Sequence, residues 1–135
     1  MTYVFDACAL IAFINHEPEG AKVKDLLRSV ESGGSELYIS IVNLTEVYYN
    51  FIRSDGLELA NEIMEEVRYL PIKIIDVIDE KVYRETARLK SCYPMSLADA
   101  FLSATAKRLD AAIVTKDSEI RAVEAGENLS VFWIN

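Results

Sequence analysis

Four acids, Asp6, Glu46, Asp99 and Asp117, each stand just past an apolar, strand-forming run or in the opening turns of a helical pattern. Tyr3-Val4-Phe5 runs into Asp6, and Leu37-Tyr38-Ile39-Ser40 precedes the segment that holds Glu46. Ser96-Leu97-Ala98-Asp99 opens a late helix, and Ile113-Val114-Thr115-Lys116 leads to Asp117. If these runs are parallel strands, all four acids fall on one edge of the sheet, outside the carboxyl ends of the strands, where ligands bind in open α/β sheets. Carboxylates gathered there repel one another, which drives some of them toward protonation unless a cation intervenes. An all-oxygen set suits Mg2+ or Mn2+, and with no histidine near the acids the pattern argues against zinc.

Each acid also has a plainer use. Asn43-Leu44-Thr45-Glu46 and Ser96-Leu97-Ala98-Asp99 have the spacing of a capping box, and Asp6 and Asp117 can each cap the helix that follows, worth ~0.5–2 kcal/mol apiece. Caps do not require a carboxylate at all four places, since Ser, Thr or Asn would serve. The joint placement therefore points to a cation site.

The elements that must position these acids alternate along the chain. Strands are expected at Tyr3–Phe5, Leu37–Ser40, Ile72–Val77, Ala111–Thr115 and Leu129–Ile134, where β-branched and aromatic residues cluster. Helices are expected from Ala7 to Phe13, after Glu17-Pro18-Glu19 up to Gly33-Gly34, from Val42 to Asp55, from Leu57 to Leu70, from Asp79 to Ser91, from Ser96 to Leu109, and from Asp117 to Ala125 with Gly126 as its stop. The helix after Val42 carries Leu44, Val47, Tyr48, Tyr49, Phe51 and Ile52, so it needs a partner besides the sheet. In the late helix Leu97, Ala100, Phe101 and Ala104 are expected to face inward. Strand–helix alternation implies a single three-layer α/β/α domain over residues 1–135 with a mainly parallel sheet.

These segments resemble the PIN-domain family, in particular the VapC-type toxin ribonucleases. The resemblance rests on Val4-Phe5-Asp6-Ala7-Cys8-Ala9-Leu10, on Ser40, Asn43, Thr45 and Glu46, on Ser96-Leu97-Ala98-Asp99-Ala100, and on Ile113-Val114-Thr115-Lys116-Asp117. It spans the whole chain, in order. It implies a metal-dependent endoribonuclease with Asp6, Glu46, Asp99 and Asp117 as the acidic cluster, and it implies a dimer, an antitoxin partner and an RNA substrate such as tRNA or rRNA. The chain departs from the family pattern where a Thr or Ser often follows the first aspartate, because Ala7 and Cys8 stand there. A hydroxyl to order water must then come from Ser40, Thr115 or Ser96. Two other readings remain: a PIN-like fold that acts by binding a partner, and a housekeeping RNA-processing nuclease. Phosphatases of the haloacid-dehalogenase type want a second Asp where Cys8 stands, and response-regulator receivers want paired acids at the first strand, so neither pattern fits.

The chemistry of such a cluster is phosphodiester hydrolysis by a water that divalent ions activate. Composition bears on the substrate, because 22 Asp and Glu against 14 Lys and Arg give a net charge of −8, unlike a protein that coats nucleic acid. Any grip on RNA must be local, and Arg84, Arg88, Lys116 and Arg121 are the candidates, with Lys81, Lys90, Lys107 and Arg108 nearby in sequence. Cys8 and Cys92 have no disulfide or zinc spacing and are expected to be free thiols packed as small hydrophobes. His16 reads as incidental. The N-terminus lacks a basic leader pattern and no apolar run reaches the ~18 residues of a membrane span, so a cytoplasmic protein is expected.

Overall fold

Five strands and seven helices alternate in the computed structural model, which describes residues 1–135. In order they are β1 (Thr2–Phe5), α1 (Ala7–Ile14), α2 (Gly20–Glu31), β2 (Glu36–Ser40), α3 (Ile41–Asp55), α4 (Leu57–Val67), β3 (Lys73–Ile75), α5 (Glu80–Cys92), α6 (Leu97–Leu109), β4 (Ala112–Thr115), α7 (Ile120–Glu127) and β5 (Val131–Trp133). The strands form one sheet in the order β3-β2-β1-β4-β5, every pair parallel. Because successive strands extend first to one side of β1 and then to the other, the topological switch lies between β1 and β4, the place where such sheets open a crevice. Tyr3 stands beside Leu37 and Ala112, and Phe5 beside Val114. The Asp6 N–H donates to Val114 O at 3.0 Å, so the pairing of β1 with β4 extends one residue past the strand and fixes the backbone of Asp6.

Strand alternation divides the core into two layers. Tyr3, Phe5, Leu37, Ile39, Ala112 and Val114 pack with α1, α2, α3 and α4, while Val4 and Ile113 pack with α5, α6 and α7. The three-layer arrangement expected from the alternation is the one observed. The apolar girth of α3 is shared between the sheet and α4: Val47 and Phe51 are buried in the same core as Ala60 and Val67 of α4, and Tyr48 Oη donates to Asn61 Oδ1 on α4. Tyr49 remains outward at 46% exposure.

Several boundaries differ from expectation. The strand expected over Ile72–Val77 shortens to β3, because it is an edge with a single neighbour and Val77 is 70% exposed. Leu97, expected inward, is 56% exposed at the first position of α6, whereas Ala100, Leu102 and Ala104 are buried. The last helix begins at Ile120, three residues after Asp117, and Gly126 lies within it rather than ending it. Asn128, at φ 54°, takes the left-handed position that closes α7. Gly126 has a packing reason instead, because a Cβ there would stand 2.7 Å from Tyr93 Cε1.

Candidate functional site

Asp6 occupies the N-cap position of α1 with extended backbone, yet its side chain makes no capping hydrogen bond. Its Oδ2 accepts from Thr115 Oγ1 at 2.7 Å and from Cys8 Sγ at 3.4 Å. The carboxylate is thus turned away from the helix and toward β4, which removes the capping explanation for this residue.

Asp99 lies in the first turn of α6, where Ser96 does the capping by accepting the Asp99 N–H at 3.1 Å. The carboxylate does not complete a capping box. The Ser96 N–H donates instead to Glu119 Oε2 at 3.3 Å, and Asp99 Oδ2 is buried without a hydrogen-bond partner. Asp117 follows β4 and is held through its backbone, its N–H donating to Thr115 Oγ1 at 2.9 Å. Its Oδ1 accepts the Glu119 N–H at 3.0 Å, a turn contact rather than a cap of α7. One carboxylate oxygen from each of Asp6, Asp99 and Asp117 lies within 4.8 Å of the others. An ion with bonds of ~2.0–2.6 Å can bridge oxygens up to about 5 Å apart.

Glu46 stands outside this trio. The expected box at Asn43 does not form, because α3 starts at Ile41 with Ser40 as its cap, accepting from the Val42 N–H at 3.1 Å. Asn43 is fully buried inside the helix and its Nδ2 donates to Glu46 Oε1 at 3.0 Å, which aims the half-buried Glu46. The charges of Asp6 and Asp117 are felt there, as Glu46 titrates above its ordinary range through burial first and these two acids second.

The electrostatics of the trio follow from burial and like charge. Asp6 and Asp99 are each 4% exposed. Burial raises the Asp6 pKa, with Asp117 adding to it and the Thr115 and Cys8 hydrogen bonds opposing. Asp99 is pushed up to about 9, by burial first, then by the charge of Asp6 and by contact with Glu119 and Asp117. Without a counter-charge the site therefore holds a proton at neutral pH. A buried, unpartnered carboxylate oxygen within reach of two further acids, with no nitrogen ligand in the group, fits an oxygen-preferring divalent cation.

The two expected hydroxyls have clear places. Thr115 donates to Asp6 and receives from the Asp117 backbone, so it links the two acids, while Ser40 serves as the α3 cap. Cys8 is more than packing, since its Sγ also accepts the Lys116 N–H at 3.5 Å. Burial and the Asp6 charge push its thiol up to about 12, which favours the protonated form over the thiolate that a nucleophile needs. Glu119 was missed by the sequence reading. The signal was an acid two places after Asp117, but only the fold brings it to the start of α6.

The expected RNA grips are mostly engaged. Arg84 pairs with Glu80 at 2.8 Å, and Lys116 pairs with Glu17 at 2.9 Å. Arg88 pairs with Glu85 and with Glu127, the latter at 2.6 Å, and Lys107 joins the same two acids. Arg121 has no acidic partner and lies over the Trp133 ring, 4.1 Å from its centroid. No helix is long and apolar enough to cross a membrane.

No curated protein matches the sequence significantly. Solved structures match the fold over nearly the whole chain. VapBC2 from Rickettsia felis, solved bound to a DNA fragment from its promoter, aligns with a TM-score of 0.76 at 18% identity, covering 98% of both chains. The DNA-bound VapBC of Salmonella typhimurium gives 0.73 at 15% identity, covering 100% of this chain and 99% of the other. VapC20 of Mycobacterium tuberculosis, a Sarcin-Ricin loop cleaving toxin, gives 0.68 at 12% identity over 91% and 95%. At these identities the structures speak for the fold. The sequence itself matches the family model described as PIN domain over residues 3–126, and the chain belongs to the PIN domain family.

Proposed function

We propose that this chain is a metal-dependent endoribonuclease, the toxin of a VapBC-type toxin–antitoxin pair, acting in the cytoplasm on tRNA or rRNA. The observation that carries the reading is the Asp6, Asp99 and Asp117 trio, its carboxylate oxygens within 4.8 Å, with Asp99 Oδ2 buried and unpartnered. Such an arrangement is costly in the absence of a cation, and nothing in the hydrogen bonding of α6 requires it.

Asp6, Asp99 and Asp117 would hold Mg2+ or Mn2+, and Glu46, on α3, would be a fourth acid available to it. A divalent cation at this place supplies Lewis-acid charge to the phosphate and lowers the pKa of the attacking water. Thr115 keeps Asp6 and Asp117 in register, and Ser40 is a second hydroxyl on the same edge of the sheet. Arg121, free of acids, is the phosphate contact with the least to give up, whereas Lys116, Arg84 and Arg88 reach RNA only by exchanging an existing carboxylate for a phosphate. The neighbouring toxin–antitoxin assemblies support an antitoxin as partner, and a homodimer is part of the same reading.

The test is cleavage of a mixed tRNA and rRNA pool by purified protein with Mg2+ or Mn2+, with chelator, and with Asp6→Asn and Asp99→Asn. Cutting that needs metal and disappears in both folded variants is the expected result. An inert wild type, free of co-purified inhibitor, would overturn the nuclease reading.

A further inference from the structure

Lys116 stands between Thr115 and Asp117, and both its ends are tied to the segment that follows β1. Its N–H donates to Cys8 Sγ at 3.5 Å, and Cys8 donates to Asp6 Oδ2 at 3.4 Å. Its ammonium donates to Glu17 Oε1 at 2.9 Å and lies 3.9 Å from Glu19 Oε1. Lys116 and Glu17 side chains are only 31% and 34% exposed, so water screens this pair less than a surface bridge. Glu19 Oε2 is buried without a hydrogen-bond partner, and Lys116 is the only cation in ion-pair contact with either glutamate.

Besides Lys116, the Asp117 loop is held by the Asp117 N–H on Thr115 Oγ1 and by Glu119, whose carboxylate accepts the Ser96 N–H. Between the end of β4 and the start of α7 no regular element forms, and the charge of Asp6 repels Asp117 across the site. The geometry points to Lys116 as a positioning residue, pinned by Cys8 at its backbone and by Glu17 at its ammonium, that holds the Asp117 loop against the Asp6 segment. This rests on the reading of Asp6, Asp99 and Asp117 as a cation site. It assigns Lys116 to the shape of that site rather than to the substrate, and it gives the turn between α1 and α2 a part in metal binding. Outer contacts of this kind typically change metal affinity or activity by about 10–100-fold.

The test compares wild type, Lys116→Ala, Glu17→Gln and the charge-swapped pair Glu17→Lys with Lys116→Glu. Amide exchange at Asp117 and Glu119 is read in metal-free protein, Mn2+ binding is read by electron paramagnetic resonance, and RNA cleavage is read separately as kcat and KM. Both single variants are expected to speed exchange at the two amides and weaken Mn2+ binding about tenfold, while the swapped pair recovers both. Lys116→Ala with unchanged exchange and Mn2+ binding but a raised KM for RNA would overturn the proposal and make Lys116 a phosphate contact. A swapped pair no better than Lys116→Ala would overturn it as well. Because exchange needs neither metal nor substrate, a wild type that fails to cut RNA removes the nuclease reading and still leaves the tether tested.

Discussion

Thr115 donates its hydroxyl proton to Asp6 Oδ2 at 2.7 Å, joining residues 109 positions apart in the chain. Thr115 Oγ1 also accepts the Asp117 N–H at 2.9 Å, so one fully buried side chain sets the spacing of two of the three clustered acids. Thr115→Val keeps the shape and removes both bonds. It is expected to cost about 1–3 kcal/mol of stability, since Asp6 and the Asp117 N–H lose a partner, and to weaken Mn2+ binding about tenfold or more. Thr115→Ser retains the hydroxyl and should stay near wild type in both. Chemical denaturation and Mn2+ titration of the three proteins check this.

The Asp99 pKa, about 9 in the metal-free fold against an ordinary 3.8, sets a pH dependence. Below the lower value the acid is protonated folded or unfolded, and its contribution is fully present. As pH rises from there, the unfolded chain ionises while the fold keeps its proton, so stability falls until the folded group also ionises near pH 9. A divalent cation replaces the proton and should remove this loss. The Tm gain on adding Mg2+ or Mn2+ is therefore expected to be larger by a few degrees at about pH 8 than at about pH 5. In Asp99→Asn the difference between the two conditions should shrink. Differential scanning calorimetry with and without metal reads both.

Glu127 anchors the other end of the same helices. It accepts from Arg88 at 2.6 Å, Lys107 at 2.9 Å and the Tyr93 hydroxyl at 2.6 Å, and these donors hold its carboxyl down at about 2. Its stability is present above the ordinary 4.5 and is lost as pH falls through about 2. Glu127→Gln should cost about 1–3 kcal/mol at neutral pH. Lys107 stands eight positions after Asp99 on α6, about 12 Å along the axis, so Mn2+ affinity should be unchanged. A variant that loses both stability and metal binding would contradict this separation.

Gly126→Ala tests the packing of α7 on Tyr93. The added methyl would fall 2.7 Å from Cε1 and 2.8 Å from Cζ of that ring, inside van der Waals contact. The ring must move, and with it the hydrogen bond to Glu127. A loss of about 1–3 kcal/mol is expected, against the few tenths to 1 kcal/mol that alanine ordinarily gains over glycine within a helix. A stabilised variant in urea denaturation would show that the ring adapts freely.

The order of strands and helices, the α/β class and the places of Asp6 and Asp117 just past strands were legible in the sequence, because each depends on residues within a few positions of one another. Asp99, by contrast, opens a helix that follows another helix, and Glu46 lies inside α3. Alternation in Tyr3-Val4-Phe5 and the small residues of α6 set burial locally, and the parallel sheet follows from strands that must be joined through helices. Boundaries slipped where a distant neighbour decided them. Gly126 reads as a helix stop until Tyr93 is seen beside it, and Asn43 reads as a cap until the wholly buried side chain is seen bonded to Glu46.

Only the tertiary structure decided which acids meet. Sheet order places β4 beside β1, which brings Asp117 and Thr115 to Asp6, and the start of α6 adds Asp99, while Glu46 on α3 stays outside the 4.8 Å trio. It likewise delivered Glu119 to the Ser96 N–H and gave Arg88 and Lys116 to acids far from them in sequence. Propensity and periodicity act over one or two turns of chain. Distances between residues about a hundred positions apart are set by how strands cross over and pair, and no local pattern records them.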